Sequence, residues 1–143
     1  MKTFRSIVVN LFIYLAIVAG TVWGLPKLLS ELLHTPYPMA SITSGSMWPA
    51  LKEGDLVLIK GVDRDELNVG DIIVYRNKEN GTFTIHRVKE LHENDLITKG
   101  DANFNEDSPV AYEDVIGKNI RLFGKPFRVP YLGSVTVWAN KNH

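Results

Sequence analysis

The sequence predicts a small all-β domain carried on an N-terminal membrane anchor. Three observations predict it. An uncharged apolar run fills residues 6–26. Behind it come short segments rich in β-branched and aromatic residues, separated by glycine, proline and asparagine turns. A chain of 143 residues has room for one domain with a modest core. The expected divisions are a cytoplasmic N-terminus over residues 1–6, a transmembrane anchor over 7–25, a juxtamembrane helix or linker over 26–40, and an extracytoplasmic domain over 41–143.

The anchor comes first. At about 1.5 Å per residue, helical residues 7–25 nearly cross a hydrocarbon layer of roughly 30 Å. Lys2 and Arg5 precede the run, so the positive-inside rule leaves the N-terminus in the cytoplasm and carries the rest across. A cleaved signal peptide is the alternative, but its apolar core is typically about 7–15 residues and this run is longer. Asn10 and Gly20 are tolerable in a spanning helix. Sixteen basic and sixteen acidic residues cancel, which gives no footprint for nucleic acid. The absence of cysteine excludes a disulfide framework, a thiol nucleophile and cysteine-based zinc sites.

Pro26-Lys27 ends the apolar run, and "KLLSELLH" (27–34) has leucines at the spacing of an amphipathic helix lying on the membrane surface. Pro36 and Pro38 then disfavour helix. "DLVLIKGV" (55–62) and "DIIVYR" (71–76) read as strands. Asn80-Gly81 marks a hairpin turn, because both residues accept positive φ. In the following strand, 82–91, Phe83 and Ile85 face one way, and Thr84, His86 and Val88 the other. "DLITKGD" reads as a strand closing in a glycine turn, "NFNEDSPVAYE" as a loop, and "DVIGKNIRLFG" as one or two more strands.

The chemistry-bearing residues lie in these segments. "SGSMWP" sets Ser44 and Ser46 about Gly45. A serine becomes a nucleophile only with a base in reach and donors aimed at the developing oxyanion. The Ser46 N–H and the Ser44 hydroxyl are the available donors, although such serine pairs also occur in purely structural turns. Of the four histidines, His34 falls at the membrane edge, His92 in a charged run and His143 at the terminus. His86 differs in lying mid-strand, as a base or as a half-buried structural histidine. Asp101 and Asp107 share one turn-rich loop, and either could orient a histidine. Asp101, Asn103 and Asn105 also match the first ligands of a calcium loop, but Glu106 and Tyr112 stand where its glycine and final glutamate belong.

Taken in order, these segments resemble the boxes of the type I signal peptidases. "SGSMWPAL" is similar to the serine box, "GDLVLI" and "GDIIVYR" to the next strands, "TIHRV" to the base box, "TKGDANFNED" to the acidic box and "VPYLGSVTVW" to the segment after it. With histidine rather than lysine in the base box, the chain resembles the endoplasmic-reticulum type, which is also found in archaea and some bacteria. The resemblance implies a mainly β catalytic domain, a small coil of antiparallel sheets behind a transmembrane helix. It implies Ser46 as nucleophile, His86 as general base, Asp107 as third triad member and Asp101 as a supporting acidic residue. Ser44 and the Ser46 N–H would form the oxyanion hole, and no metal or cofactor is expected. Met47 and Trp48 would contact substrate or membrane, with a core role for Met47 equally open. The implied partners are secretory precursors with small residues before the cut and the lipid bilayer, with a translocon or peptidase complex left open. The implied location is the cell membrane, or the reticulum membrane in a eukaryote. A same-clan peptidase with a narrow non-secretory substrate set and a non-catalytic anchored β-module stay open as alternatives. Many relatives carry a second spanning helix near the C-terminus, for which "VTVWANKNH" has no room.

Overall fold

The structure is a computed structural model that describes residues 2–134 apart from Glu79. Residues 135–138 of the last resembling segment, and His143, lie outside the described residues.

Helix α1 spans Lys2–Ala19, widens into a π turn over Gly20–Gly24 and continues as α2 over Leu25–Leu33. The anchor and the amphipathic segment are therefore one helix, and Pro26 does not interrupt it. A proline has no N–H to donate, and in a regular turn its ring meets the carbonyl four residues back, here that of Val22. The π turn covers that place. The Leu25 N–H donates to Gly20 O, five residues back, so the wider turn makes room for the ring. The stretch Phe4–Leu33 is long and apolar enough to cross a membrane, and none of its most apolar window is buried in the protein.

His34 ends the helix in the left-handed conformation, with φ 51°. The Thr35 N–H donates to Ser30 O, and the Ser30 hydroxyl donates to Thr35 O. The Gly61 N–H donates to Leu33 O at 2.7 Å, which seats the β-domain on the helix end. A Cβ at Gly61 would collide with the His34 carbonyl, so only glycine permits this approach.

The domain is antiparallel throughout. The strands are β1 (Met39–Ser41), β2 (Leu56–Lys60), β3 (Ile72–Arg76), β4 (Phe83–Leu91), β5 (Asp95–Lys99), β6 (Val110–Ala111) and β7 (Val115–Asn119). Their order in the main sheet is β1-β2-β7-β3-β4-β5-β6. The short β10 (Arg128–Val129) pairs with β2, and β8 (Arg121–Leu122) pairs with β9 (Lys125–Pro126). The fold is mainly antiparallel β behind an apolar helix, as the sequence predicts.

Strand β3 reads as an unbroken apolar run because both its faces are covered. Ile72 and Val74 join a core of Ile42, Met47, Leu51, Val57 and Ile59. Ile73 and Tyr75 join a second core with Leu67, Val88, Leu96 and Val110. The alternation expected for β4 follows, with Ile85 packed against the first core and Val88 inside the second.

The hairpin turn between β3 and β4 holds Asn80 and Gly81, as expected. Arg76 pairs with Phe83, so the loop is longer than an Asn-Gly pair. Gly81 has φ 69°, within the left-handed region that the turn expects of it. The Asn80 side-chain oxygen accepts from the Thr82 N–H at 3.0 Å and the Thr82 hydroxyl at 2.7 Å. Asparagine closes this turn through its side chain. A positive-φ pair falls in β8–β9, at Phe123 and Gly124.

Candidate active site

Ser46 sits in the tight turn that follows β1. The Trp48 N–H donates to Gly45 O, and the Leu51 N–H donates to Met47 O. Met47, 1% exposed, and Leu51 fill the first core from beneath this turn. That packing pins the backbone on either side of Ser46. It also corrects the expectation of membrane contact for Met47, since burial keeps its side chain from any bilayer. Met47 instead forms part of the floor of the cleft beside Ser46. Trp48 is 57% exposed.

His86 projects from the middle of β4, paired across the sheet with Ile73. Its Nε2 lies 3.1 Å from Ser46 Oγ, and its Nδ1 lies 2.6 Å from Asp107 Oδ2. An ionised carboxylate only accepts hydrogen bonds. Nδ1 therefore carries the proton, and the Nε2 lone pair faces the serine hydroxyl. The Ser44 and Ser46 hydroxyls are 3.2 Å apart. With the Ser46 proton directed at His86, Ser44 is the donor of that pair. A Cβ at Gly45 would meet nothing within 4 Å, so the backbone between the serines borders open space.

The loop from β5 to β6 closes the other side. The Ala102 N–H donates to Ser46 O at 2.8 Å, and the Asp107 N–H donates to Thr98 O at 2.8 Å. A Cβ at Gly100 would press on Ser46 O and the Asn103 side chain, so glycine allows the loop to lie this close. Asp107 Oδ2 also accepts from the Thr98 hydroxyl at 2.6 Å and the Tyr75 hydroxyl at 3.2 Å. Burial pushes the Tyr75 phenol up, with the Asp107 charge adding to the effect and the Thr98 hydroxyl opposing it.

The two candidate aspartates thus separate. Asp107 meets His86, whereas Asp101 takes a two-pronged ion pair from Arg87, Nε to Oδ1 and Nη2 to Oδ2, each at 2.7 Å. This pair raises the Arg87 guanidinium above its ordinary value. It occupies both Asp101 oxygens, which removes the first ligand of the calcium-loop alternative. His34 caps the helix, and His92 bonds Asp95 and Glu90; neither reaches the serines.

A cleft of about 150 Å³ opens beside Ser46 and His86, walled by Ser41, Thr43, Phe83 and Ile85. Strand β5 pairs with β4 only from Arg87 onward, so residues 83–86 have β3 on one side and the cleft on the other. The sequence did not single out Tyr75 and Thr98. Hairpin register was the available signal, because it places Tyr75 two residues from Ile73, the cross-strand partner of His86.

Residues 26–116 match the Peptidase S24-like family. The chain is 31% identical over 146 residues to the signal peptidase complex catalytic subunit SEC11 of Zygosaccharomyces rouxii, covering 92% of this chain and 83% of that protein. It is 32% identical over 139 residues to the SEC11 subunit of Candida dubliniensis, covering 92% and 82%. It is 34% identical over 127 residues to that of Lachancea thermotolerans, covering 81% and 74%. The chain belongs to the Peptidase S24-like family and, within it, to the type I signal peptidases of the endoplasmic-reticulum type.

Proposed function

We propose that this chain is a membrane-bound serine endopeptidase of Ser-His-Asp type that removes N-terminal signal peptides from translocated precursors. The carrying observation is the chain of contacts from Asp107 through His86 to Ser46, at 2.6 and 3.1 Å, beside an open cleft. His86 Nε2 takes the Ser46 proton as Oγ attacks the scissile carbonyl. Asp107 fixes the Nδ1–H tautomer and stabilises the imidazolium that forms. The Ser46 N–H and the Ser44 hydroxyl hold the oxyanion, for which the Ser44 hydroxyl turns from Ser46 Oγ to the new negative charge. His86 then protonates the leaving amine, and the acyl-enzyme is released by water that His86 activates.

The substrate binds as an extended strand in the cleft between the turn after β1 and residues 83–86 of β4, where main-chain bonds set its register. A cleft this small, floored by Met47 and walled by Phe83 and Ile85, favours small side chains before the cut. The division into a cytoplasmic start, a spanning segment, a juxtamembrane segment and an extracytoplasmic domain follows from the charge bias about the helix. It places the catalytic face outside the cytoplasm, or in the reticulum lumen of a eukaryote. Association with a signal peptidase complex is supported by the relatives, which are named as subunits of one.

The test is cleavage of a secretory precursor in liposomes. Wild type should release mature protein and Ser46→Ala none. Equal cleavage by both would end this assignment.

A further inference from the structure

Asp107 is held more elaborately than a bare His-Asp contact requires. Its Oδ2 takes bonds from three elements: His86 on β4, Thr98 on β5 and Tyr75 on β3. Thr98 is fully buried, and Tyr75 is 3% exposed. The two hydroxyls are also 3.4 Å from each other. A threonine hydroxyl has one proton, and the 2.6 Å contact to the carboxylate claims it rather than the longer contact to the phenol. Because burial raises the Tyr75 phenol, that group stays protonated and stays a donor over any working pH.

We propose that Thr98 and Tyr75 are positioning residues for catalysis, whose buried hydroxyls converge on Asp107 Oδ2 and hold the carboxylate aimed at His86 Nδ1. This rests on the assignment of Ser46, His86 and Asp107 as the reacting group and its support. A protonated Asp107 would present a donor to Nδ1, turn the imidazole to the wrong tautomer and leave Nε2 without a lone pair for Ser46. Two buried donors hold the oxygen that faces Nδ1 as an acceptor and oppose that failure. They also fix the carboxylate in rotation. Asp107 follows a loop, and its own backbone is tied to β5 through its N–H to Thr98 O. Thr98 therefore holds Asp107 twice, by main chain and by side chain.

The other charged groups near Asp107 are Arg76, Lys78, Glu106 and Asp114, which line a cleft on its far side. Lys78 is paired with Asp114 at 2.8 Å and with Glu113 at 3.1 Å. On the His86 side the neighbouring group is the Ser46 hydroxyl.

The experiment compares Thr98→Val, Thr98→Ser, Tyr75→Phe and Asp107→Asn with wild type in liposomes. It records kcat and KM against pH, with thermal unfolding as a fold control. Each hydroxyl points its positive end at the carboxylate and so weakens the attraction of Asp107 for a protonated His86. Removing one should lower kcat by about tenfold with KM unchanged. It should also move the acid limb of the rate profile to higher pH. Thr98→Ser keeps the hydroxyl and should restore both. Tyr75→Phe gives the same reading by a second route should the valine variant not fold. A wild-type profile in Thr98→Val and Tyr75→Phe, with Asp107→Asn disabled, overturns the positioning role alone. So does a lowered rate with an unmoved limb and no rescue by serine. A wild-type rate in Asp107→Asn would instead overturn the assignment of the site itself.

Discussion

Ser44 and Ser46 are chemically alike and two positions apart, yet their neighbours make them unequal. Only Ser46 lies against His86 Nε2, and Ser44 touches the site through the Ser46 hydroxyl. Ser46→Ala should therefore remove turnover, while Ser44→Ala should lower kcat by about 100-fold, the scale of losing one oxyanion donor. Precursor cleavage rates on the two variants check this, and the reverse order would exchange the roles. The aspartates divide in the same way. Asp107→Asn should lower kcat by about 1,000-fold or more, because the amide presents the wrong partner to Nδ1. Asp101→Ala should cost about 1–2 kcal/mol of stability, the value of a partly buried charged pair, and leave kcat within about tenfold. Unfolding midpoints and rates measured side by side distinguish them; a larger kcat loss at Asp101 would move the third role there. The sequence brought Ser46, His86 and Asp107 forward as candidates through the ordered set of segments that resemble the family boxes rather than through any one of them, and the structure brings the three side chains together. The sequence hid the Arg87–Asp101 pair and the Thr98 and Tyr75 contacts. A threonine or tyrosine in a strand is ordinary, and only register decides what its hydroxyl meets. Met47 was ambiguous for a related reason, since a large apolar residue in a turn suits a core and a membrane equally well until the packing beneath it is known.

The strands of five or more residues were readable from composition, because each carries β-branched or other apolar residues in a run bounded by turn residues. Strands β1, β6, β8, β9 and β10 have only two or three residues each and carry no period; pairing partners define them. The apolar helix and the amphipathic helix over 27–34 were both readable, but not their fusion through Pro26 into one helix. That fusion depended on a π turn that no residue pattern announces. The β4–β5 hairpin carries its own test. The His92 N–H donates to Asp95 O, and its ring bonds Asp95 at 2.8 Å and Glu90 at 3.0 Å. These carboxylates, Asp95 first, raise the His92 imidazole above its ordinary value. A raised pKa in the folded state means the charged ring stabilises the hairpin fully below the unfolded value of about 6.5. That contribution fades as pH rises through the folded value. Amide exchange in the β4–β5 turn should accelerate over that window beyond the intrinsic base catalysis of exchange. His92→Gln should remove the excess, and an identical pH response in the two proteins would show that the ring does not support the turn.

At the scale of the whole molecule, two separate needs are met by one short chain. The β-domain has its own two cores, and the helix from Phe4 to Leu33 contributes almost nothing to them. Among the described residues the parts are linked at the helix end, where Gly61 bonds Leu33, and just beyond it, where Tyr37 packs edge-on against Phe83 at 5.0 Å. Phe83 also walls the cleft, so the segment that leaves the membrane reaches the substrate site in a few residues. The apolar helix is then a device for location rather than for stability or chemistry. A precursor still held in the bilayer by its own apolar segment meets an anchored enzyme in two dimensions, as an effectively raised concentration. Deleting residues 2–24 should leave kcat/KM on a short soluble peptide within about threefold of wild type, because no group at the cleft is lost. The same deletion should lower the cleavage rate of a liposome-inserted precursor by about 100-fold or more. Both rates measured at equal enzyme concentration separate the two contributions. Equal losses on the two substrates would mean that the helix shapes the site itself through Tyr37 and Phe83, and unchanged rates on both would mean that the β-domain finds its precursor without the anchor.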